Sequence, residues 1–145
     1  MGLIKGNEWI LTILFLGILI TPMILYLISL RKTILAIAPE NRALHPNDVW
    51  FILIPIWGIF NYYKTVDKIG DSLHNEFKTK EIDTFEKFPG RITGSLAFLF
   101  ALGFFTIGIF SRAIIVLLFL FIPMFTLWIL HWIQIIYYRK KINKR

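Results

Sequence analysis

The chain has 145 residues, of which 57% are hydrophobic and 17% aromatic, and its formal net charge is +7. A soluble domain of this size would expose too much apolar surface, so the composition indicates a single integral membrane domain. The absence of cysteine excludes disulfides, thiolate nucleophiles and cysteine-bound metals.

Four apolar segments are predicted to cross the membrane, at about 9–30, 49–66, 92–110 and 113–138. The fourth has no formal charge, and a helix rising about 1.5 Å per residue makes it longer than the roughly 30 Å hydrocarbon layer. The second reaches that length only if its helix continues past Lys64, so a re-entrant or tilted segment is the alternative there. Residues 111–112 are expected to form a tight hairpin. The predicted fold is an all-α, polytopic transmembrane four-helix bundle.

A cytoplasmic amphipathic helical extension is predicted at about 67–90, beyond the second span. Tyr62, Val66, Ile69, Leu73 and Phe77 recur at spacings of three and four residues, while charged residues occupy another face. Such a helix could lie on the membrane surface, pack on a partner, or cover the inner ends of the other helices.

The third span carries small residues on one face, at Gly94, Ala97, Ala101 and Gly108. Small side chains let a second helix approach closely in a membrane. We expect close packing within the bundle at these positions, with a homo-oligomer contact as the alternative.

Proline interrupts three of the four spans, at Pro22, Pro55 and Pro123. Pro55 and Pro123 have similar neighbours and similar places in the second and fourth spans, as in the parallel repeats of some transporters. Because proline breaks these spans, a small channel or carrier is the alternative function.

Polar side chains inside the spans are few. No Asp, Glu, Lys or Arg lies in the central part of a span, which argues against a proton-coupled carrier, an ion pump or an intramembrane protease. His131 is the exception, and a haem, quinone or proton-transfer role is one alternative. We predict instead that His131, Gln134 and Asn61 make interhelical polar contacts. No catalytic, cofactor-binding or metal-binding residue is predicted.

The loop after the first span is the other polar region. Asn47 or Asp48 is expected to cap the second span. A metal or catalytic role for Glu40, His45 and Asp48 is the alternative, although short loops between spans commonly have this composition without forming a site.

A longer motif begins in the same loop. Pro39-Glu40-Asn41-Arg42 is followed by Val49-Trp50, by Ile54-Pro55 and by the stretch 66–73. This pattern resembles a group of small bacterial multi-span membrane proteins of unknown function. The resemblance implies a membrane location and provides no catalytic residue to transfer to this chain.

Basic residues predict the orientation. With four spans, one side of the membrane carries twelve basic residues: Lys5, six in 64–91 and five in the tail. The other side carries four: Arg31, Lys32, Arg42 and Arg112. The positive-inside rule then places both termini in the cytoplasm of a bacterial inner (plasma) membrane, although Arg31 and Lys32 oppose it. The tail residues Arg139, Lys140 and Lys141 are predicted to bind lipid headgroups.

These observations predict a non-catalytic integral inner-membrane protein, an accessory or assembly subunit that contacts a larger membrane complex. The alternative is a small channel or carrier formed by homo-oligomerisation. The expected partners are the lipid bilayer and other membrane subunits or further copies of the chain. Nucleic acid is not expected, because the basic tail directly follows a membrane span.

Overall fold

The computed structural model describes residues 8–110 and 114–144, and the regular elements in these ranges are all helical. Four α-helices are present: α1 (Glu8–Ala36), α2 (Trp57–Thr79), α3 (Arg91–Phe110) and α4 (Ile114–Asn143). Two 3₁₀ helices, Pro39–Asn41 and Pro46–Leu53, connect α1 to α2. The predicted hairpin at 111–112 lies outside the described residues. The all-α fold class is confirmed.

Three helices are long and apolar enough to cross a membrane. They are α1 over Trp9–Ala36, α3 over Arg91–Gly108 and α4 over Ile114–Asn143. Pro22 and Pro123 lie inside α1 and α4, and both helices continue past them. Among the described residues the structure therefore has three candidate spans, and it does not confirm a four-helix bundle.

The predicted second span at 49–66 is divided by a sharp turn. Its first part belongs to the 3₁₀ helix that ends at Leu53, and α2 begins only at Trp57. Ile56 has φ 67° and ψ −58°, and the Trp57 amide donates to the Pro55 carbonyl at 2.8 Å, which defines a γ-turn. Proline cannot continue the preceding hydrogen-bond ladder, and the turn reverses the chain. This run forms a hairpin instead of one spanning helix.

The amphipathic extension is one continuous helix with the end of that run, because α2 passes through 66–67 without a break. It ends at Thr79 instead of about 90, and residues 80–90 connect it to α3 without regular structure. Val66, Ile69, Leu73 and Phe77 are all buried. The apolar face of α2 therefore packs inside the protein.

The helix directions follow from side-chain pairs. Thr93 contacts Gln134 near the start of α3, and Gly108 approaches Leu117 near its end, so α3 and α4 are antiparallel. Ser29 contacts Trp132, and α1 runs parallel to α4. The end of α1, the start of α3 and the end of α4 consequently lie together, and we call this end of the molecule the basal end.

The hydrophobic core fills the basal half of the molecule. It is formed by the second half of α1, the apolar face of α2, the end of α4 and the connecting segments. Its fully buried side chains include Tyr26, Leu27, Leu30, Ile34, Ile37, Val49, Ile69, Leu73, Ile135 and Ile142. Described side chains in the first half of α1, over 9–21, are all exposed. Packing within the chain is thus concentrated where the amphipathic helix covers the other helices.

Candidate functional site

His131 lies at the centre of a buried polar cluster. Its side chain is fully buried, and Nδ1 is 2.9 Å from the hydroxyl oxygen of Tyr26 on α1. The second ring nitrogen, Nε2, is also buried and has no hydrogen-bond partner among the described residues. The contact ties α4 to α1, which is how a neutral histidine holds membrane helices together.

Aromatic rings surround this pair. The Tyr26 ring lies 5.1 Å from Trp128, 6.0 Å from Trp132 and 6.4 Å from Tyr62, measured between centroids. The Tyr62 hydroxyl is buried, without a hydrogen-bond partner in the described part of the chain. The Trp132 indole donates to the Ser29 hydroxyl at 2.9 Å. We call Tyr26, Tyr62, Trp128, His131 and Trp132 the aromatic cluster; it joins α1, α2 and α4.

Two glycines at the start of α3 make room for His131. A Cβ added to Gly94 would lie 2.5 Å from a Val66 methyl group and 3.0 Å from the imidazole. A Cβ on Gly90, whose φ is 78°, would lie 3.4 Å from the same ring. The two distances at Gly94 are too short for a real side chain, so the absence of a side chain there lets α3 touch α2 and α4 together.

The other small residues of this face are Ala97, Ala101 and Gly108. Ala97 is buried, Ala101 is half-buried, and a Cβ on Gly108 would lie 3.4 Å from Leu117. Gly94 and Gly108 therefore face neighbouring helices of this chain.

Gln134 and Asn61 have partners other than His131. The Thr93 hydroxyl donates to Gln134 Oε1 at 2.6 Å, and Gln134 Nε2 lies 3.4 Å from Glu86 Oε1. Asn61 donates from Nδ2 to the Phe51 carbonyl at 3.2 Å, across the hairpin. The partner of the His131 Nδ1 atom is Tyr26 on α1, whereas Asn61 makes its contact within the hairpin.

The sequence motif beginning at Pro39 forms a second polar site around Glu76. The Glu76 side chain is 1% exposed. Its Oε2 atom accepts hydrogen bonds from the Asn41 side-chain amide at 2.8 Å and from the Ala38 backbone N–H at 3.0 Å. Its Oε1 atom forms an ion pair with Lys80 at 3.0 Å. Arg42 donates to the carbonyls of Leu35 and Ile37 at the end of α1. The motif therefore connects the first loop to α2 through Asn41 and caps the end of α1 through Arg42.

Burial of Glu76 alone would raise the pKa of its carboxyl group. The hydrogen bonds from Asn41 and Ala38 and the ion pair with Lys80 outweigh that effect and lower the pKa below its usual 4.5. Sequence reasoning missed this residue, although its spacing of seven from Ile69 places it on the buried face of α2.

The stretch 66–73 joins α2 to its neighbours. Ser72 accepts from the Ala43 amide at 2.8 Å. Arg91, at the start of α3, pairs with Asp67 at 3.0 Å and also with Asp71, and its guanidinium carbon lies 4.1 Å above the Phe88 ring. A Cβ on Gly70 would lie 3.3 Å from Arg91. The motif residues therefore position helices.

The remaining polar candidates also have structural partners. The His45 amide donates to Asp48 at 3.1 Å, and the His45 ring accepts from the Asn47 amide at 3.3 Å, so the two side chains cap the second 3₁₀ helix. In the tail, Lys140 is exposed, Lys141 donates to the Asp83 carbonyl, and Arg139 is half-buried.

Within residues 8–110 and 114–144 there is no group of three side chains able to hold a metal ion. Two clefts, of about 320 and 390 Å³, lie at the basal surface, and His131 lines neither of them. Comparison with protein-family models, with curated proteins and with solved structures gave no match.

Proposed function

We propose that this protein is a non-catalytic integral membrane protein of a bacterial inner membrane. It acts as an accessory or assembly subunit that contacts other membrane helices. The observation that carries this proposal is the first half of α1, whose described side chains over 9–21 are exposed.

The polar groups of the protein support a structural role. Those of the aromatic cluster lie between helices, and Glu76, Ser72 and Arg91 hold the basal end together. Three candidate spans of mean hydropathy 1.5 to 2.5 present mostly apolar side chains outward. Such surfaces suit contact with lipid and with other helices.

The first half of α1 is the surface we assign to a partner subunit. Trp9, Leu11 and Ile18 are each more than 60% exposed. Residues 9–21 cover about 20 Å of helix, which is about two thirds of the roughly 30 Å hydrocarbon layer. The second half of α1 is fixed in the core, and the helix continues without a formal charge through 9–21.

The orientation we propose follows from the basal end. Fourteen of the sixteen lysines and arginines lie in 31–91 or 139–145, the segments that meet at this end, and only Lys5 and Arg112 lie elsewhere. The positive-inside rule therefore makes the basal end cytoplasmic. This orientation puts Arg31 and Lys32 on the side that the rule favours.

Native purification in mild detergent with mass spectrometry tests the proposed role. We expect one larger membrane protein to co-purify with the wild type and to be lost from the double variant Leu14→Ala/Ile18→Ala. The matched control Ile115→Ala/Phe119→Ala, on exposed positions of α4, should retain it. Recovery of a monomer alone, or of a homo-oligomer that conducts ions in liposomes, would overturn the proposal.

A further inference from the structure

We propose that residues 46–63 form a re-entrant hairpin that enters the cytoplasmic leaflet and turns back near the middle of the bilayer. Its partner is the hydrocarbon of that leaflet. The inference rests on the proposed membrane location and is independent of the accessory role.

The depth of the hairpin follows from the pairing of α2 with α3. The Tyr63 ring contacts the Phe98 ring at 5.1 Å between centroids, Val66 faces Gly94, and Gly70 faces Arg91. The two helices therefore run antiparallel in register. Continuing α2 backwards from Tyr63 places the turn at Ile56 about 20 Å from the level of Arg91.

A second estimate uses α1. Tyr62 lies against Tyr26, which is five residues, or about 7.5 Å, from Arg31. Ile56 is a further six residues along α2, so the turn lies about 16 Å from the level of Arg31. Both estimates place the turn near the middle of a layer about 30 Å thick.

The surface of the hairpin suits lipid. No formal charge occurs over 49–63. The outward side chains at its tip are large and apolar: Phe51, Leu53, Ile54, Ile56, Trp57 and Phe60, with Ile56 80% exposed. This patch lies at the same level as the exposed apolar surface of α3, so it continues the surface that faces the bilayer. In water it would be an unusually large apolar patch.

The backbone at the tip is adapted to an environment without water. Non-helical backbone is tolerated at membrane depth only where its polar groups are satisfied. The amides of Trp57 and Gly58 donate to the carbonyls of Pro55 and Ile54, and Pro55 has no N–H to satisfy. Asn61 donates to the Phe51 carbonyl and joins the two arms. This hydrogen bond explains why a polar residue such as Asn61 lies in an apolar segment.

Gly58 permits the two arms to meet. A Cβ at this position would overlap the backbone oxygen of Ile52 on the opposite arm. The hairpin is thus a closed unit whose narrow tip displaces lipid from one leaflet only.

Single-cysteine labelling in proteoliposomes tests this topology, because the natural chain contains no cysteine. Ile56→Cys probes the tip. Phe85→Cys, in a fully exposed loop at the basal end, is the aqueous control, and Phe119→Cys on α4 is the membrane-embedded control. A membrane-impermeant maleimide is applied from each side, and a nitroxide at each cysteine reports its depth from oxygen and nickel-chelate accessibility.

We expect Ile56→Cys to be protected from both sides as Phe119→Cys is, with a nitroxide depth near the bilayer centre. Labelling of Ile56→Cys from the same side and at the same rate as Phe85→Cys would overturn the insertion. Labelling from the opposite side would also overturn it, because the segment would then cross completely. If Phe119→Cys itself reacts rapidly, the membrane location and the hairpin both fail, whereas failure at Ile56 alone leaves the proposed function intact.

Discussion

The carboxylate of Glu76 lies 2.8 Å from the side-chain amide nitrogen of Asn41, which is thirty-five residues earlier in the chain. The same carboxylate accepts a hydrogen bond from the Ala38 backbone. One buried charge on α2 thus fixes the loop that follows α1, through Asn41 of the sequence motif and the backbone of Ala38, which precedes the motif.

Replacing Glu76 should destabilise the protein strongly. In Glu76→Ala the Asn41 amide and the Ala38 N–H lose their acceptor while they stay largely buried, which we expect to cost about 2–4 kcal/mol of unfolding free energy. Thermal unfolding in detergent measures the effect. Glu40→Ala, at an exposed position of the same loop, is the control and should change the melting temperature little. Equal losses for both variants would contradict this role.

Glu76 should also make stability depend on pH. Because the folded state lowers the pKa of this carboxyl below 4.5, its stabilising effect is complete above that pH. The effect is lost as the pH falls through the lower folded-state pKa. We expect the melting temperature of the wild type to fall between pH 5 and pH 3 more steeply than that of Glu76→Gln. Identical slopes for the two proteins would count against the prediction.

Adding a methyl group at Gly94 should loosen the contact of α3 with α2. The new Cβ would lie 2.5 Å from a Val66 methyl group, and overpacking of this kind costs about 1–3 kcal/mol. Val66→Ala should recover part of the loss in the double variant. The control is Gly17→Ala, since a Cβ there has no atom within 4 Å. The free energy of unfolding in mixed micelles gives the comparison, and a tolerated Gly94→Ala would show that the helices can separate freely.

The contact between Tyr26 and His131 should show coupling in a double-mutant cycle. Tyr26→Phe and His131→Phe each leave one buried polar group without its partner, and each should cost about 1–2 kcal/mol. The double variant should cost less than the sum, because both polar groups are then absent. Tyr137→Phe, at an exposed position on α4, is the control.

The same variants test a redox role for His131. If His131 has only a structural role, the His131→Phe variant should remain folded and assembled. The visible absorption of the purified protein should then be unchanged. A pigment that is present in the wild type and missing from His131→Phe would refute the structural role.

Composition and periodicity predicted much of this protein. Uncharged runs long enough for a bilayer predicted the apolar helices α1, α3 and α4, because only internally bonded helices are stable in lipid. The spacing of Val66, Ile69, Leu73 and Phe77 predicted an amphipathic helix, and these side chains are buried together. The small residues of α3 likewise marked a contact face, since close approach depends on side-chain size alone.

Only the tertiary structure decided three features: the path of the second apolar run, the partner of His131 and the role of Glu76. An uncharged run has the same composition whether it crosses the bilayer or turns back, and the bond from Asn61 to the Phe51 carbonyl forms only when the two arms of the hairpin meet. Tyr26 and His131 lie 105 residues apart, so their contact depends on how the helices assemble. Sequence periodicity describes each helix separately, whereas pairing between helices is set by the shapes and polar groups that meet when they pack.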